Sequence, residues 1–291
     1  MTESSEKEIL NEIVIRAGTE ADKLKIEDFA KSLSQDPFLF SEKWLKIIRV
    51  DNVLPLIALS GDKIVGMVHA KIFENVGWLE AARVGSKYRN QGIAVSLLNK
   101  AMEWLKERHV KVIRAAVDSD NLNIRLLLEK NSFSGDFVVI NPSSEVDSTD
   151  TSPENLSRYS TLLDNSVFPE FEDKIKHNFS GNVFVDGQYV PFTFNLFNKL
   201  IEERRILRNG KLGAFIIISK HKLQEELTTF VCADTQEMYK NLGLASKALA
   251  SQELASFVVC HAPAKRNAVQ GLVQAGLGWN QPHTLIIYQR H

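Results

Sequence analysis

The chain has 291 residues, which suits two domains of about 150 residues, each able to bury its own core. Its 35 basic and 36 acidic side chains leave a formal net charge of −1, and this balance excludes a general electrostatic attraction to nucleic acid or anionic membranes. No apolar run approaches the roughly 20 residues that span a bilayer, and the polar start MTESSEKEIL is not a signal sequence. We therefore expect a cytoplasmic protein with no nucleic-acid partner and no membrane partner.

The two cysteines, Cys232 and Cys260, both lie in apolar stretches. Such a pair could form one disulfide, but burial as two free thiols is the favoured interpretation. The seven histidines include no His-x-x-x-His pair, and the cysteines form no Cys-x-x-Cys pair. We therefore expect no metal site.

The first part of the chain is predicted as a strand and two helices followed by a three-stranded meander. Apolar residues recur at helical spacing in the two helices, and Gly61-Asp62 has the length of a hairpin turn. The predicted order is a strand at 12–18, helices at 21–33 and 41–50, the second capped by Ser41, and strands at 54–60, 63–73 and 77–84.

A glycine turn follows the meander and leads into an amphipathic helix from Ile93 to Leu105. Gly92 removes a side chain where the backbone could approach a ligand closely, and the free N–H groups at a helix start suit a phosphate. The turn matches neither the Walker phosphate loop nor the three-glycine dinucleotide fingerprint. A plain turn is the alternative. The predicted elements that follow are a buried strand at 110–117, a short helix at 122–130 led by Asn121, and a strand at 137–140.

Arg89-Asn90-Gln91-Gly92-Ile93-Ala94 resembles the Arg/Gln-x-x-Gly-x-Gly/Ala signature of the GNAT superfamily, the acetyl-CoA-dependent N-acetyltransferases. The order of elements fits this family too, and a second block, Asn121 with Glu129 to Phe133, follows at its proper place. The resemblance implies acetyl-CoA as cofactor, with strand backbone on its pantetheine arm and loop amides on its pyrophosphate. The implied binding residues are Ala82, Arg83, Val84, Arg89, Asn90, Gln91, Gly92, Ile93, Ala94, Val95 and Asn121.

The second half repeats this pattern. Residues 239–245, YKNLGLA, match YRNQGIA at 88–94, and residues 267–279 follow the spacing of 121–133 with Asn267 in place of Asn121. We predict an α/β protein of the α+β type: two tandem GNAT-like domains, each a mixed, mostly antiparallel sheet flanked by helices. The predicted domains are 1–141 and 157–291, joined by a polar linker at 142–156.

The second copy is predicted to be degenerate, because Lys240 replaces the arginine or glutamine of the signature. Its predicted role is to stabilise the protein or to shape a substrate cleft. Its predicted elements are a helix at 192–207, a hairpin turn at 208–211, and strands at 212–219, 227–234 and 255–262.

Direct acetyl transfer requires a neutral amine, and since lysine amines have a pKa near 10.4, a base is expected. Strand alternation places Trp78, Glu80, Ala82 and Val84 on one face, and Glu80 is the best candidate for the base. The competing interpretation is a solvated or paired surface glutamate. His69 is a second candidate, although a lone strand histidine is more often structural. The family's usual short-helix tyrosine, which protonates the leaving thiolate, is replaced here by Leu128.

The function favoured by the sequence is an N-acetyltransferase that moves the acetyl group of acetyl-CoA to a primary amine of a small molecule or protein, by direct attack in a ternary complex. The alternatives are a catalytically weak CoA-binding sensor or scaffold, and an interaction scaffold without a ligand. A monomer or homodimer is expected. Five aromatic residues could line an acceptor cleft or simply pack the core: Phe38, Phe40, Trp44, Phe73 and Trp78.

Overall fold

The computed structural model describes residues 12–73, 75–147, 152–210, 213–219, 226–278 and 284–291, and it forms two compact units. The first unit extends to Ala115 and includes Gln289–His291, and the second is Ala116–Tyr288. Within the predicted linker, the structure has a strand at Ser143–Glu145 and the start of a helix at Pro153–Ser157. The predicted domains, 1–141 and 157–291, remain predictions.

The first unit is a sheet in the order β1-β2-β3-β4-β5, antiparallel except for the parallel pair β4 and β5. Its strands follow the predicted ones closely, and Gly61 adopts the positive φ of 57° that the hairpin turn between β2 and β3 needs. The elements are β1 Ile13–Ala17, α1 Lys23–Ser32, α2 Pro37–Ile48, β2 Val53–Ser60, β3 Lys63–Phe73, β4 Val76–Val84, α3 Ile93–Glu107 and β5 Val112–Asp118.

The two sides of this sheet are covered by different helices. Trp44 of α2 and Ile26 and Phe29 of α1 form a buried core with Met67 of β3. On the opposite side, a Cβ at Gly66 of β3 would lie 3.2 Å from Ile93 of α3, so a small residue is needed there. The predicted apolar stripe of α3 is buried as expected, at Ile93, Leu97, Leu98, Ala101 and Leu105.

The start of α2 corrects the prediction that Ser41 is its N-cap. The helix begins four residues earlier, at Pro37, and Asp36 is the N-cap, accepting a hydrogen bond from Leu39 N at 2.8 Å. Proline at the first helical position loses no hydrogen bond, because that N–H has no partner within the helix. Ser41 instead lies buried inside α2 and donates to Glu27 Oε1 at 3.0 Å.

The second unit has the same order of antiparallel strands, parallel crossover and helices. Strands β11, β12 and β13 form an antiparallel meander, and β13 runs parallel to β14 after the crossover through α8. Its sheet order is β15-β6-β14-β13-β12-β11-β8, with β7 paired to β14 and a separate β9-β10 hairpin. The elements are α4 Leu122–Lys130, β6 Ser134–Ile140, β7 Ser143–Glu145, α5 Pro153–Ser157, β8 Ser160–Thr161, α6 Phe168–Phe179, β9 Asn182–Val185, β10 Gln188–Pro191, α7 Phe194–Glu202, β11 Ile206–Asn209, β12 Ala214–Ile218, β13 Glu226–Cys232, α8 Gln236–Gln252, β14 Phe257–Pro263, α9 Arg266–Gln274 and β15 Thr284–Arg290.

One predicted helix of this unit is too long. The helix predicted at 192–207 ends at Glu202, and Ile206–Asn209 is strand β11 instead. Arg204 adopts a positive φ of 56°, which stops the helix. The end of the predicted 208–211 turn, at Lys211, lies outside the described residues.

Cys232 and Cys260 are free and buried, as predicted. Burial raises the pKa of the Cys232 thiol to about 12, so it stays protonated. No group of His, Cys, Asp or Glu side chains suited to a metal ion is found among the described residues. Within the same part of the chain, none of the helices has the length and apolar character needed to span a bilayer.

Candidate active site

The parallel pairing of β4 with β5 stops halfway along β4. It runs from Val76 opposite Val112 to Leu79 opposite Ala115, while β4 continues to Val84 alongside β3. Among the residues that the structure describes, positions 80–84 therefore have no strand partner on the β5 side. Ala82 and Arg83, both predicted cofactor contacts, are exposed there. A free strand edge of this kind can pair with an extended chain that contains amides.

A β-bulge changes the side-chain alternation of β4. His69 of β3 lies opposite Glu80, but Met67 lies opposite Arg83, so β4 contains one extra residue, and Ala81 has a positive φ of 54°. As a result, Arg83 shares a face with Glu80. The predicted common face of Trp78, Glu80, Ala82 and Val84 is therefore wrong beyond Glu80. The correct set is Trp78, Glu80 and Arg83, on the side covered by α1 and α2.

The predicted phosphate loop leaves the start of α3 uncapped. Gly92 adopts a φ of 79°, and a Cβ built on it would meet nothing within 4 Å. No side chain caps the helix, and its first backbone hydrogen bond runs from Ser96 N to Gly92 O at 3.0 Å. The amides of Ile93, Ala94 and Val95 thus have no acceptor among the described residues, and they form a site suited to an anion.

Two hydrogen bonds hold the loop before Gly92 in place. Arg89 Nε donates to Val84 O at 3.3 Å, and Gln91 Nε2 donates to Lys87 O at 3.2 Å. Asn90 adopts a positive φ of 63°, which keeps the turn tight before the glycine. The loop from Arg89 to Gly92 is therefore anchored to the end of β4, next to the strand's free edge.

Glu80 and His69 face each other across β3 and β4 in an environment that disfavours charge. Burial raises the pKa of the Glu80 carboxyl, and the nearby Lys71 charge offsets this only in part. Burial also lowers the pKa of His69 to about 4, with a further contribution from the Arg83 charge. His69 Nε2 has no hydrogen-bond partner within the described part of the chain. His69 is thus neutral near neutral pH, and burial raises the pKa of Glu80 in the direction that suits a general base.

The other predicted site residues lie elsewhere. Asn121 is the N-cap of α4, where its side chain accepts from Ile124 N at 3.3 Å, and it belongs to the second unit. Leu128 is buried in α4. Of the candidate acceptor-cleft aromatics, Trp44 and Trp78 are buried in the core, whereas Phe38 is 65% exposed. The sequence does not predict that the Arg83 side chain shares the face of Glu80, because no local sequence signal marks the bulge.

Within the described part of the chain, the second unit has no equivalent of the exposed edge of β4 or of the uncapped start of α3 at its corresponding elements, β13 and α8. Strands β12 and β13 pair in regular register from Phe215 opposite Cys232 to Ile218 opposite Thr229, with no bulge. The parallel pairing of β13 extends to Phe230, two residues from the end of the strand. Helix α8 starts at Gln236, and Thr235 caps it by accepting from Met238 N at 3.3 Å. Among the described residues of this region, β13 therefore has no free edge of similar length, and the start of α8 is capped.

The repeated motif YKNLGLA therefore has a different structural role from its counterpart. It lies inside α8, and a Cβ at Gly243 would come within 2.7 Å of Ala275 Cβ and Leu277 Cδ1. This glycine allows close packing, whereas Gly92 opens a loop. Asn267 likewise lies inside α9, where it donates to Asp234 O at 2.7 Å, rather than capping the helix as Asn121 does. Trp279, the predicted partner of Phe133, lies outside the described residues.

Comparisons with known structures support this architecture. A GCN5-related N-acetyltransferase from Sphaerobacter thermophilus matches with a TM-score of 0.63 at 11% identity, covering 96% of this chain and 95% of that one. Two proteins provisionally described as acetyltransferases also match over 96% of this chain. The one from Pyrococcus horikoshii has a TM-score of 0.56, 15% identity and 89% coverage. The one from Thermoplasma acidophilum has a TM-score of 0.56, 13% identity and 99% coverage. At these identities the likeness establishes the fold.

Sequence comparison supplies the family. Residues 20–133 match the model of the acetyltransferase (GNAT) family, and this range contains the bulged strand β4, the Gly92 loop and α3. A search of curated proteins gives no significant match. The chain thus contains a GNAT-family acetyltransferase domain at residues 20–133, and it is an acyltransferase.

Proposed function

We propose that the first unit binds acetyl-CoA and transfers its acetyl group to a primary amine. The observation that carries this proposal is the combination of a free strand edge at 80–84 with an uncapped helix start behind Gly92. The free edge suits the amides of a pantetheine arm, and the amides of α3 suit a pyrophosphate. The predicted contacts at Ala82 to Val84 and at Arg89 to Val95 lie along these two features. Asn121 stays a prediction.

Acetyl-CoA bound there supplies a thioester as the acetyl donor. Glu80 accepts the proton of the acceptor amine while the nitrogen lone pair forms the new C–N bond, and the C–S bond breaks with its electron pair leaving on sulfur. A free thiol has a pKa near 8.5, so the sulfur can leave as thiolate without a tyrosine at the position of Leu128. His69 stays neutral and borders the carboxylate.

We also propose that the chain arose by duplication and that its second unit binds no acetyl-CoA. The shared order of the antiparallel meander, parallel crossover and helices supports the duplication. The regular β13, the capped α8 and the buried Gly243 support loss of the site in the second copy. Its proposed role is structural.

The buried Leu128 favours a second candidate, a CoA-binding sensor or scaffold with little catalysis. The experiment that separates the two is release of free thiol from acetyl-CoA with a mixed panel of small amines, amino acids and peptides. We expect acceptor-dependent release, together with CoA-induced thermal stabilisation. Stabilisation without acetylation of any acceptor would favour the sensor. The absence of both would contradict acetyl-CoA binding.

Substitution of Gly243 by alanine is expected to destabilise the protein without affecting the cofactor. The added methyl would overlap Ala275 and Leu277, and overpacking of this kind costs about 1–3 kcal/mol. Denaturant unfolding measures the loss, and calorimetry should still give one acetyl-CoA per chain. Gly135→Ala is the matched control, because its Cβ would meet Ile286 at an ordinary 3.5 Å. Two binding sites in the native chain would contradict the proposal.

A further inference from the structure

The bulge in β4 gives Arg83 two separate roles. Its backbone belongs to the free edge proposed for the cofactor, whereas its side chain turns to the face covered by α1 and α2. There the guanidinium lies over the Phe40 ring of α2, 5.8 Å from its centroid. Helix α3, whose amides are proposed to bind the pyrophosphate, packs on the opposite face, against Gly66. The Arg83 side chain thus lies on the same face of the sheet as Glu80, away from the proposed phosphate site.

Two cations on this face have no carboxylate partner among the residues that the structure describes. Arg83 is exposed, and neither Arg83 nor Lys71 forms an ion pair with any residue that the structure describes. The carboxylates of the covering helices are already engaged: Asp22 with Arg16, Glu42 with Lys23, and Asp28 with Lys31. Glu27 accepts a hydrogen bond from Ser41. Lys71 thus lies close enough to act on Glu80, and Arg83 close enough to act on His69, without a carboxylate partner of their own among the described residues.

This arrangement disfavours an acceptor with several positive charges, such as a polyamine, since like charges on both sides repel it. It favours a molecule whose amine reaches Glu80 while an anionic group reaches Arg83. The distance between Glu80 and Arg83 along the sheet can be estimated from their partners on β3. Glu80 lies opposite His69 and Arg83 lies opposite Met67, and these partners are two residues, or about 7 Å, apart. The amine and the anionic group must therefore be separated by only a few bonds.

Building on the proposed transferase activity, we propose that the acceptor is a small amine that carries a carboxylate or phosphate, and that Arg83 binds this anionic group. A guanidinium offers paired N–H donors that match the oxygens of either group. Arg83 is thus a specificity-determining residue, while Glu80 receives the amine proton.

The test compares each L-amino acid with its own carboxamide as acceptor, because the two differ in charge but hardly in size. Amino-alkyl phosphates form a second arm that separates carboxylate from phosphate recognition. We expect the anionic acceptors of at least one arm to have the higher kcat/KM. The α-amino group of an amino-acid carboxamide is less basic than that of the free amino acid, so a larger fraction of it is neutral and reactive. A higher kcat/KM for the free amino acid therefore cannot arise from amine ionisation.

Arg83→Met keeps most of the aliphatic stem on Phe40 and removes the charge. It should raise KM for the preferred anionic acceptor by about 10- to 100-fold, the usual cost of losing a charged hydrogen-bond partner. The KM for acetyl-CoA should stay within about twofold, because only the backbone of Arg83 belongs to the proposed cofactor edge, and the neutral acceptor should lose much less kcat/KM than the anionic one. Arg83→Lys should give an intermediate KM, because the charge remains without the planar fork. Lys63 is an exposed cation at the start of β3, and Lys63→Met is the control. It should change neither the KM for the anionic acceptor nor the KM for acetyl-CoA.

Each other outcome overturns the inference. A higher KM for acetyl-CoA in Arg83→Met would assign the side chain to the cofactor. An equal loss of kcat/KM with charged and neutral acceptors in Arg83→Met would indicate a structural role for Arg83. Transfer to neutral amines in preference to anionic ones would contradict the acceptor class while leaving the transferase function intact. Failure to acetylate any acceptor would contradict the proposed function itself and this inference with it.

Discussion

Substitution of Gly92 by glutamate is expected to weaken acetyl-CoA binding about 100-fold and to lower acetyl transfer with it. The backbone φ of 79° favours glycine, and a side chain at this position would occupy the open space in front of the α3 amides. The glutamate would also place a negative charge beside the pyrophosphate. Loss of a few charged hydrogen bonds costs roughly 3 kcal/mol, which corresponds to an affinity about 100-fold lower. Calorimetry with CoA and thiol release with the acceptor panel measure the two effects.

Gly181→Glu is a closely matched control for this variant. Gly181 has a φ of 77° and nothing within 4 Å of a built Cβ, but it lies in the second unit between α6 and β9. The backbone strain and the added charge are therefore the same in both variants, and only the position relative to α3 differs. If Gly181→Glu lost CoA binding to the same extent as Gly92→Glu, or if Gly92→Glu retained it, the phosphate site would not be at α3.

Substitution of Glu80 by glutamine is expected to lower kcat by about 10²- to 10⁴-fold, the usual contribution of a general base. The carboxylate is the active form, so activity of the unchanged protein should fall as the pH drops through the pKa of Glu80. Burial raises that pKa, and the acidic limb should therefore lie above the pH expected for an exposed glutamate. The variant should lose this limb, and its CoA affinity should remain unchanged. The measurement is kcat and kcat/KM as a function of pH.

Glu103→Gln, on the exposed face of α3, removes a carboxylate that only pairs with Lys100 at the surface. It should leave the pH profile unchanged. A Glu80→Gln variant with near-normal kcat and the same acidic limb would show that another group accepts the proton. A proportional loss of CoA binding and activity would instead assign Glu80 a structural role.

Much of the first unit follows from local sequence patterns. The apolar spacing from Ile93 to Leu105 is satisfied by one buried helix face, and Gly61-Asp62 forms the predicted hairpin turn. These predictions succeed because the information lies within a few neighbouring residues, in a helical or strand period. The position of Gly92 before α3 belongs to the same class, since a positive φ at a helix start is a local requirement.

The features on which the proposed chemistry rests depend on contacts distant in sequence. The bulge at Ala81 turns Arg83 to the face of Glu80. It is defined by how β4 pairs with β3, and no residue pattern near Ala81 predicts it. The two similar motifs at 88–94 and 239–245 also differ through distant contacts. A glycine can serve either an open loop or a close contact between elements, and the local sequence does not distinguish the two. The sequence alone determined the family of the first domain, the order of elements in the first unit and the position of the first motif. Only the tertiary structure determined that Gly243 is buried against residues 275–277, because packing of distant segments decides which property of glycine is used.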